Sequence, residues 1–287
     1  MVNLKNGILE INVNEKGAEL FNLIKNGEEF LWQGDPIFWK GRAYNLFPIC
    51  GGLKDDEYIY NGNTYSLKKH GFAKDVDFIL EEKTETTATF LLSSQNYQNE
   101  GYPFNYELRI VYELCGETLN VYFKIKNLDD NEMFFSIGAH EGYQLKNDIT
   151  DYSVIFEADD ELSRYMVDGN LVSYNTVKLP FSDKKVLPLQ RYFFNDDALI
   201  FMDHKSRKVE LKNNVSGQSI LVEFKDFDYL LIWTKETDAP FVCIEPWTGM
   251  PDMVDSNKQI KDKKGITKLE PKSEKTFLHS ITVGKSL

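Results

Sequence analysis

The segment "FNYELRIVYELCGETLNVYFKIKN", residues 104–127, alternates apolar and polar side chains along two runs. Alternation with a period of two places successive side chains on opposite faces of a strand, so each run predicts a strand with one buried face. Cys115-Gly116-Glu117 separates the runs, and a glycine in so short a connection is typical of a tight reversal. The segment therefore predicts a β-hairpin with long strands.

Short runs of the same kind recur along the whole chain. Asn61-Gly62, inside "DEYIYNGNTYSL" (56–67), is the dipeptide that most strongly favours a two-residue hairpin turn. We find no helical periodicity over three turns, which argues against a βαβ fold. Strands at this spacing with turn residues between them favour an all-β sandwich or barrel. The other predicted strands are 8–13, 88–94, 133–140, 152–158, 198–204, 208–213, 219–227, 229–235 and 241–247, with a further hairpin in 266–284.

No composition shift marks a domain boundary. The chain has no Pro/Ser/Gly-rich linker, no low-complexity tract and no repeat of fixed period, and the polar stretch 159–190 is interpreted as a long excursion. All-β folds of this length often remain one domain. We therefore expect a single domain over residues 1–287, built from two sheets of six or more strands each.

The charge balance excludes some partners. Lys and Arg number 33 against 45 Asp and Glu, which gives a net charge of −12. Nucleic-acid binding depends on clustered positive charge, so this composition argues against it. The sequence also lacks a basic amphipathic helix for a membrane surface and an apolar run of about 18 residues that could span a bilayer. We expect neither a nucleic-acid partner nor a membrane partner.

The cysteines indicate a reducing compartment. Cys50, Cys115 and Cys243 stand singly, with no Cys-x-x-Cys spacing. Such a pattern argues against a disulfide scaffold and a thiolate zinc site. No signal-peptide pattern opens the sequence, so we expect a cytoplasmic protein.

The segment "FVCIEPWTGMPD" (241–252) ends an apolar strand with a carboxylate, Glu245. Pro246 follows directly and restricts the backbone of Glu245 to extended conformations. A buried carboxylate is costly unless it is paired, and an arginine or backbone N–H groups could satisfy it. A restrained, desolvated carboxylate is also what a general base requires.

Histidine is scarce, and two of the four histidines have unusual surroundings. His70 lies in "SLKKHGFAKDVDF" (66–78) before a glycine, and His140 ends "MFFSIGAH" (133–140). A lone histidine beside a strand is more often structural, and the sequence does not show that these two meet Glu245. We expect His204, in a hydrophilic turn, to be solvated and His279 to pack on a sheet.

Several segments together resemble the aldose 1-epimerases, or galactose mutarotases, and in particular the subgroup related to the LacX protein. The resemblance implies a large antiparallel β-sandwich, called a supersandwich, with an open cleft on one sheet that binds a monosaccharide. Such proteins interconvert the α and β anomers of a free aldohexose without a cofactor. The matching segments are "ILEINVNEKGAELFNLIKNGEEFLWQGDP" (8–36), "LFPICGGLKDDEYIYNGNTYSLKKHGFAKD" (46–75), "FFSIGAHEGYQL" (134–145) and "FVCIEPWTGMPD" (241–252).

The same resemblance implies catalytic roles. Glu245 matches the general base that takes the proton from the C1 hydroxyl, and His140 matches the acid that protonates the ring oxygen. His70 matches a second histidine that hydrogen-bonds the sugar. Ring opening needs a base and an acid at adjacent oxygens, and a nearby carboxylate would help to keep an imidazole protonated.

Substrate-binding residues are expected on the same basis. Relatives often have an arginine where this chain has Gly52, so Arg42 is the expected arginine contact to a sugar hydroxyl. Asp197 is the expected sugar-binding aspartate, with Asp196 beside it. Trp247 either stacks on the apolar face of the sugar or packs in the core.

Lysines around His70 leave the phosphorylation state of the sugar open. Lys74 stands where relatives often have an arginine, and it keeps the charge without the bidentate geometry. Lys68, Lys69 and Lys74 could bind the phosphate of a hexose 6-phosphate or form a solvated rim.

Two other classes of function remain open at this point. Two histidines and a carboxylate also form non-haem metal sites, but no His-x-His or His-x-Asp/Glu pair occurs on a strand, so no metal is expected. A non-catalytic carbohydrate-binding or sugar-sensing module is the second alternative, although it would not need all three acid–base groups. The expected partner is a monosaccharide, and the expected assembly is a monomer or homodimer.

Overall fold

Two wide antiparallel sheets dominate the computed structural model, which describes residues 1–182 and 185–287. In chain order the strands are β1 (Val2–Lys5), β2 (Leu9–Val13), β3 (Leu20–Lys25), β4 (Glu28–Glu29), β5 (Ala43–Leu46), β6 (Glu57–Tyr60), β7 (Asn63–Ser66), β8 (Ile79–Lys83), β9 (Thr87–Ser93), β10 (Tyr106–Cys115), β11 (Thr118–Asn127), β12 (Met133–Phe135), β13 (Gly138–Gln144), β14 (Tyr152–Phe156), β15 (Ser163–Asp168), β16 (Leu171–Lys178), β17 (Val186–Pro188), β18 (Leu199–Phe201), β19 (Lys208–Asn213), β20 (Ser219–Glu223), β21 (Tyr229–Trp233), β22 (Phe241–Trp247), β23 (Thr267–Leu269) and β24 (Glu274–Val283). Short 3-10 helices lie at Lys54–Asp56, Ala73–Asp75, Ile149–Asp151, Arg191–Phe194 and Ile260–Asp262. In the described ranges, no helix has the length and apolar character that crossing a membrane demands.

The larger sheet has nine strands in the order β17-β14-β19-β20-β24-β11-β10-β9-β8. Its centre is the predicted hairpin, in which Tyr106 pairs with Asn127 and Cys115 with Thr118. Gly116 in the turn has a φ of +58°, a conformation that glycine adopts without strain. The second predicted hairpin is also present, as β6 and β7 around Asn61-Gly62.

The smaller main sheet has seven strands in the order β16-β15-β18-β21-β22-β13-β5. Both sheets therefore exceed six strands, and the prediction of a large antiparallel β-sandwich is confirmed. Along β22 the side chains alternate between faces: Val242 and Ile244 enter the main core, whereas Cys243 and Glu245 lie on the other face.

One cluster of buried apolar side chains fills the space between the layers. Its members extend from Val2 to Val283 and include residues of both main sheets. A core that draws on both ends of the chain is what a single folding unit requires. We therefore propose that residues 1–287 form one domain.

Three features differ from the sequence-based expectations. The segment 266–284 is not a hairpin, because β23 pairs with β12 while β24 joins the nine-stranded sheet between β20 and β11. The polar stretch 159–190 contains a β-hairpin, β15–β16. Asp183 and Lys184, later in the same stretch, lie outside the described residues. His204 is buried instead of solvated, and its Nδ1 lies 2.9 Å from the carbonyl oxygen of Ser206.

A buried polar pair joins the two main sheets. Glu141 of β13 points away from the cleft face into the core, where its Oε1 lies 3.1 Å from Nε2 of His279 on β24. The His279 ring stacks on Phe123, with ring centroids 5.9 Å apart, as its predicted packing on a sheet requires. Glu141 and His279 are both almost fully buried, and their contact lacks hydrogen-bond geometry, so each polar group compensates the other by proximity alone.

We predict that His279→Leu destabilises the protein by about 3–5 kcal/mol, because it leaves the Glu141 carboxylate buried without its partner. The measurement is the free energy of unfolding in guanidinium chloride. The matched double variant Glu141→Leu/His279→Leu should be more stable than His279→Leu alone, since it removes the orphaned group. Simple addition of the two single losses would contradict this pairing.

Candidate active site

A cleft lies on the face of the seven-stranded sheet that is turned away from the main core. The cavity has a volume of about 370 Å³. It holds three ionisable groups predicted from the sequence, Glu245, His140 and His70, in one place. The lining residues are Trp39, Tyr44, Gly51, Lys69, His70, His140, Val167, Asn170, Asp197, Ala198, Ile200, Leu231, Trp233, Glu245, Trp247 and Pro251.

Strand register builds the floor of this cleft. The register of β13 on β22 runs from Gly138 opposite Trp247 to Gln144 opposite Phe241, which places His140 opposite Glu245. On the outer sides, His140 pairs with Tyr44 of β5, and Glu245 pairs with Leu231 of β21. Opposed residues on one face of a sheet are near neighbours, so the acid–base pair is a direct product of strand pairing.

Glu245 is the most enclosed polar group of the cleft, with 2% of its surface exposed. Its Oε2 lies 3.3 Å from Nε2 of His140, so the compensating partner is a histidine and not the arginine that the sequence left open. Burial raises the pKa of the Glu245 carboxyl well above its usual range, and the nearby Asp197 raises it further. A carboxyl group with a strongly raised pKa in a cleft is a candidate for acid–base chemistry.

His140 is held between aromatic rings. Its imidazole stacks on Trp39 with ring centroids 4.9 Å apart and lies against Trp233 at 5.8 Å. Burial lowers the pKa of His140 to about 3, and the charge of Lys69 lowers it in the same direction. Desolvation therefore outweighs the expected support from the Glu245 carboxylate, and His140 is neutral near pH 7.

His70 is fixed by the backbone of a neighbouring loop. The backbone N–H of Gly51 donates to the ring Nδ1 of His70 at 3.1 Å, and the backbone N–H of His70 donates to the Gly51 carbonyl at 2.9 Å. Because Nδ1 accepts a hydrogen bond, the proton of the neutral ring belongs on Nε2. Burial lowers the pKa of His70 well below its usual range, and the neighbouring His140, Lys69 and Lys74 lower it further. His70 is therefore a neutral donor through Nε2.

Trp247 combines the two roles that the sequence left open. It is buried against the sheet, where its Nε1 donates to the carbonyl of Ala139 at 3.2 Å, and it also lines the cleft. Gly138 leaves room for the indole, since a Cβ at that position would lie 2.6 Å from Trp247 Cδ1. The ring stands edge-on to His70, with centroids 5.4 Å apart.

Lys69 and Asp197 form the charged part of the cleft wall. Lys69 Nζ lies 3.8 Å from Asp197 Oδ2, and both side chains are partly exposed. The neighbouring Asp196 turns away and pairs with Arg164 at 3.0 Å. Asp197 thus lines the cleft, where the sequence analysis expected it. Its own backbone has a φ of +73°, which no sequence pattern reveals.

Arg42 lies outside the described lining of the cleft, and its contact with a sugar hydroxyl stays a prediction. Its guanidinium lies over the Phe21 ring, 3.4 Å from the centroid, and donates to the Phe21 carbonyl and to Gln33 Oε1. Lys74 is likewise outside the lining: it forms an ion pair with Asp75. The partner of Lys74 is the next residue in the chain, whereas the contacts of Arg42 with Phe21 and Gln33 are tertiary and cannot be read from the sequence.

Sequence reasoning missed several lining side chains, among them Trp39, Trp233 and Asn170. Trp39 lies in an irregular segment before β5, so its direction follows no periodic pattern. Trp233 ends β21, two residues after Leu231, and period-two alternation from the cleft face could have found it. Asn170 lies in a turn, where an asparagine is ordinarily explained by local geometry alone.

A group of possible metal ligands also lies in this region. Donor atoms of His140, Cys243 and Glu245 all lie within 4.8 Å of one another. Burial raises the pKa of the Cys243 thiol well above its usual range, which keeps it protonated, whereas metal ligation requires the thiolate.

Comparison with known proteins agrees with this geometry. The family model for aldose 1-epimerase matches residues 1–265. The chain is 32% identical to the chromosomal LacX protein of Lactococcus lactis subsp. lactis, over 98% of this chain and 99% of that protein. A galactose mutarotase related enzyme from Lactobacillus acidophilus superposes with a TM-score of 0.93 at 31% identity, over 99% of this chain and 97% of that one. For a galactose mutarotase-like protein from Lactobacillus casei the TM-score is 0.91 at 29% identity, with 99% of both chains covered. The chain thus belongs to the aldose 1-epimerase family.

Proposed function

We propose that this protein is an aldose 1-epimerase that interconverts the α and β anomers of a free aldohexose. The observation that carries the proposal is the 3.3 Å contact between His140 and Glu245 inside a cleft of monosaccharide size. Family membership supports an isomerase of this type. We also propose a monosaccharide as its partner, on the basis of the family, and a cytoplasmic location, on the basis of the single cysteines.

Anomer exchange needs proton transfer at two oxygens of the sugar. Glu245 takes the proton from the C1 hydroxyl while His140 gives a proton to the ring oxygen, and the bond between C1 and the ring oxygen breaks. The C1–C2 bond of the open-chain aldehyde then rotates. Closure on the other face of the carbonyl returns both protons and yields the other anomer.

The proton count of the pair is the same before and after ring opening. Before opening, the pair is a carboxylate and an imidazolium; afterwards it is a carboxylic acid and a neutral imidazole, and one proton is held in each state. Burial raises the pKa of Glu245 and lowers that of His140, so it favours the uncharged form. Proton transfer across the 3.3 Å contact converts one form into the other, and a bound sugar that hydrogen-bonds the charges stabilises the ionic form.

The other lining residues bind and orient the sugar. His70 donates from Nε2 and stabilises charge that develops on a sugar oxygen, in keeping with its fixed tautomer. Trp247 and the rings of Trp39 and Trp233 provide flat apolar faces for the C–H groups of a pyranose. Asp197 accepts hydrogen bonds from a sugar hydroxyl.

An unphosphorylated sugar suits the charges of the cleft. Among the described lining residues, Lys69 is the cation, and its charge is already compensated by Asp197. Lys68 and Lys74 do not line the cavity. A phosphate would therefore meet one shared lysine beside two carboxyl groups, in contrast to the several donors that phosphate sites provide.

We predict that Glu245→Gln and His140→Asn each lower the rate of mutarotation by about 10²–10⁴-fold, the usual contribution of a positioned acid or base. Polarimetry and NMR anomer exchange on freshly dissolved α-glucose and α-galactose give the rate. Glu223→Gln, on β20 of the other sheet, is the matched control and should keep wild-type activity.

Two outcomes would contradict the acid–base proposal. Wild-type protein that binds sugars without accelerating anomer exchange would indicate a carbohydrate-binding or sugar-sensing module. A stoichiometric transition metal in the purified protein, with activity that depends on it, would indicate metal chemistry instead. Circular dichroism of each variant separates loss of the site from loss of the fold.

We predict that free hexoses are better substrates than their 6-phosphates, because the charge of Lys69 is shared with Asp197. The measurement is kcat/KM for glucose and for glucose 6-phosphate, with Lys69→Gln as the test variant. A higher kcat/KM for the phosphate that is lost in Lys69→Gln would overturn the choice of substrate. Lys68→Gln, outside the cleft, is the matched control.

We predict that His70 stays neutral, with its proton on Nε2, as the pH falls through about 6.5, where an unperturbed histidine becomes charged. Burial lowers the pKa of His70 in the folded protein below that in the unfolded chain. As the pH falls, the unfolded chain therefore takes up a proton on His70 first, and the free energy of unfolding decreases. Two-dimensional ¹⁵N NMR of the imidazole reports both the tautomer and the charge. A ring that is protonated near pH 6.5, or one with its proton on Nδ1, would refute the assignment.

A further inference from the structure

The tip of the β15–β16 hairpin forms part of the cleft wall. Asp168, Gly169 and Asn170 make the turn, at the edge of the seven-stranded sheet. Asn170 and Val167 both line the cavity. The sequence indicated no function for this turn, and the acid–base mechanism does not use it.

The hairpin is attached to the loop that follows the catalytic strand β22. The Val172 N–H donates to the Asp252 carbonyl at 2.9 Å, and the Val254 N–H donates to the Val172 carbonyl at 3.0 Å. Val172 also forms a parallel bridge with Met253. These contacts begin two residues after Asn170, so they restrain the position of the turn relative to the loop after β22.

The loop that receives the hairpin is itself anchored in the interior. Asp252 pairs with Lys263 at 2.7 Å, and each side chain is only 3% exposed. The other carboxylate oxygen of Asp252 accepts from the Lys54 N–H at 3.0 Å, and the Asp252 N–H donates to the Gly52 carbonyl at 2.9 Å. The wall around Asn170 is thus tied to the same buried pair as the segment 51–54, which also holds His70 through Gly51.

Gly52 makes room for this turn. A Cβ at position 52 would lie 3.0 Å from Asn170 Cβ and 3.1 Å from the Asn170 carbonyl oxygen. Gly51 has a φ of +74°, which favours glycine, but Gly52 has no positive φ and its backbone suits other residues. The absence of a side chain at Gly52 is therefore explained by the close approach of Asn170.

The amide of Asn170 is available to a ligand. It is exposed at the cleft and makes no side-chain hydrogen bond to the other residues that the structure describes. An amide both donates and accepts, as a sugar hydroxyl does, and it carries no charge. A larger cationic side chain at position 52 would have to displace Asn170 before it could reach the same space.

We infer that Asn170 is a substrate-contacting residue that recognises one hydroxyl of the sugar, and that Gly52 is small in order to admit it. The inference rests on the proposed sugar substrate and adds the residue that contributes to the choice among sugars. An uncharged amide at this point selects a hydroxyl over an anionic substituent. Asn170 binds in the ground state and the transition state alike, because it takes no part in proton transfer.

Asn170→Ala should raise KM and the sugar Kd by about threefold to tenfold, the usual effect of losing one neutral hydrogen bond. It should leave kcat within about twofold, because the lost contact is equally strong in the ground state and in the transition state. Tryptophan fluorescence gives the Kd without any turnover, since Trp39, Trp233 and Trp247 line the cleft. The inference therefore remains testable if the protein binds sugars but does not epimerise them. The matched control is Asn175→Ala, an exposed asparagine of β16 outside the cavity.

A set of singly deoxygenated glucoses and galactoses identifies the hydroxyl. Removal of the hydroxyl that Asn170 contacts should raise the Kd of the wild-type protein more than that of Asn170→Ala. Removal of any other hydroxyl should raise the Kd of both proteins by the same factor. Equal Kd values for every sugar in wild type and Asn170→Ala would overturn the inference. Equal losses at all positions would also overturn it, because they indicate a general distortion of the cleft.

The role of Gly52 has its own test. Gly52→Ala should raise the sugar Kd by displacing the Asn170 turn, and it should add little to the effect of Asn170→Ala, since both changes act on one contact. A Gly52→Ala protein with wild-type Kd, or fully additive effects in the double variant, would contradict the packing argument. Thermal unfolding of each variant shows whether the fold is retained.

Discussion

The register between β13 and β22 is the constraint on which the rest of the site depends. It aligns Tyr44, His140, Glu245 and Leu231 in one row across four strands, on the face that forms the cleft. A slip of one residue would turn His140 into the core and bring Glu141 to the cleft, because strand faces alternate with a period of two. The Glu141–His279 pair opposes such a slip, since it gives the carboxylate of Glu141 its partner on the core side. Consecutive residues of β13 thus serve two different buried pairs.

Burial sets the charge of this pair. Taking both Glu245 and His140 out of water disfavours the charged form of each, so the protein without sugar favours the neutral pair. The rings of Trp39 and Trp233 lie against the imidazole of His140 and contribute to its burial. His70 differs in kind, because a backbone N–H fixes its tautomer and leaves it a neutral donor. The three groups that the sequence identified therefore have separate electrostatic roles, and only burial and hydrogen bonding distinguish them.

The sequence predicted the sheets well because period-two alternation and the Asn61-Gly62 turn are local properties. It failed for 266–284, where two strands close in sequence join different sheets, since strand pairing is a tertiary property. The same limit applies to the site. The family resemblance indicated Glu245, His140 and His70; strand register brings the first two together, and hydrogen bonds to Gly51 hold His70 beside them. Arg42 was expected to contact the sugar, but its guanidinium contacts Phe21 and Gln33 outside the described lining of the cleft, and no sequence pattern indicates these contacts.

Charge at two length scales favours the same class of ligand. Within the cleft, Lys69 is compensated by Asp197, so the described lining offers an anion little net attraction. Over the whole chain, the net charge of −12 produces a field that repels anions before they arrive. A neutral sugar is indifferent to that field, and its affinity comes from aromatic faces and hydrogen bonds at short range. An uncharged amide such as that of Asn170 suits a cleft that binds a neutral ligand, because it discriminates by hydrogen-bond geometry without altering the charge of the cleft.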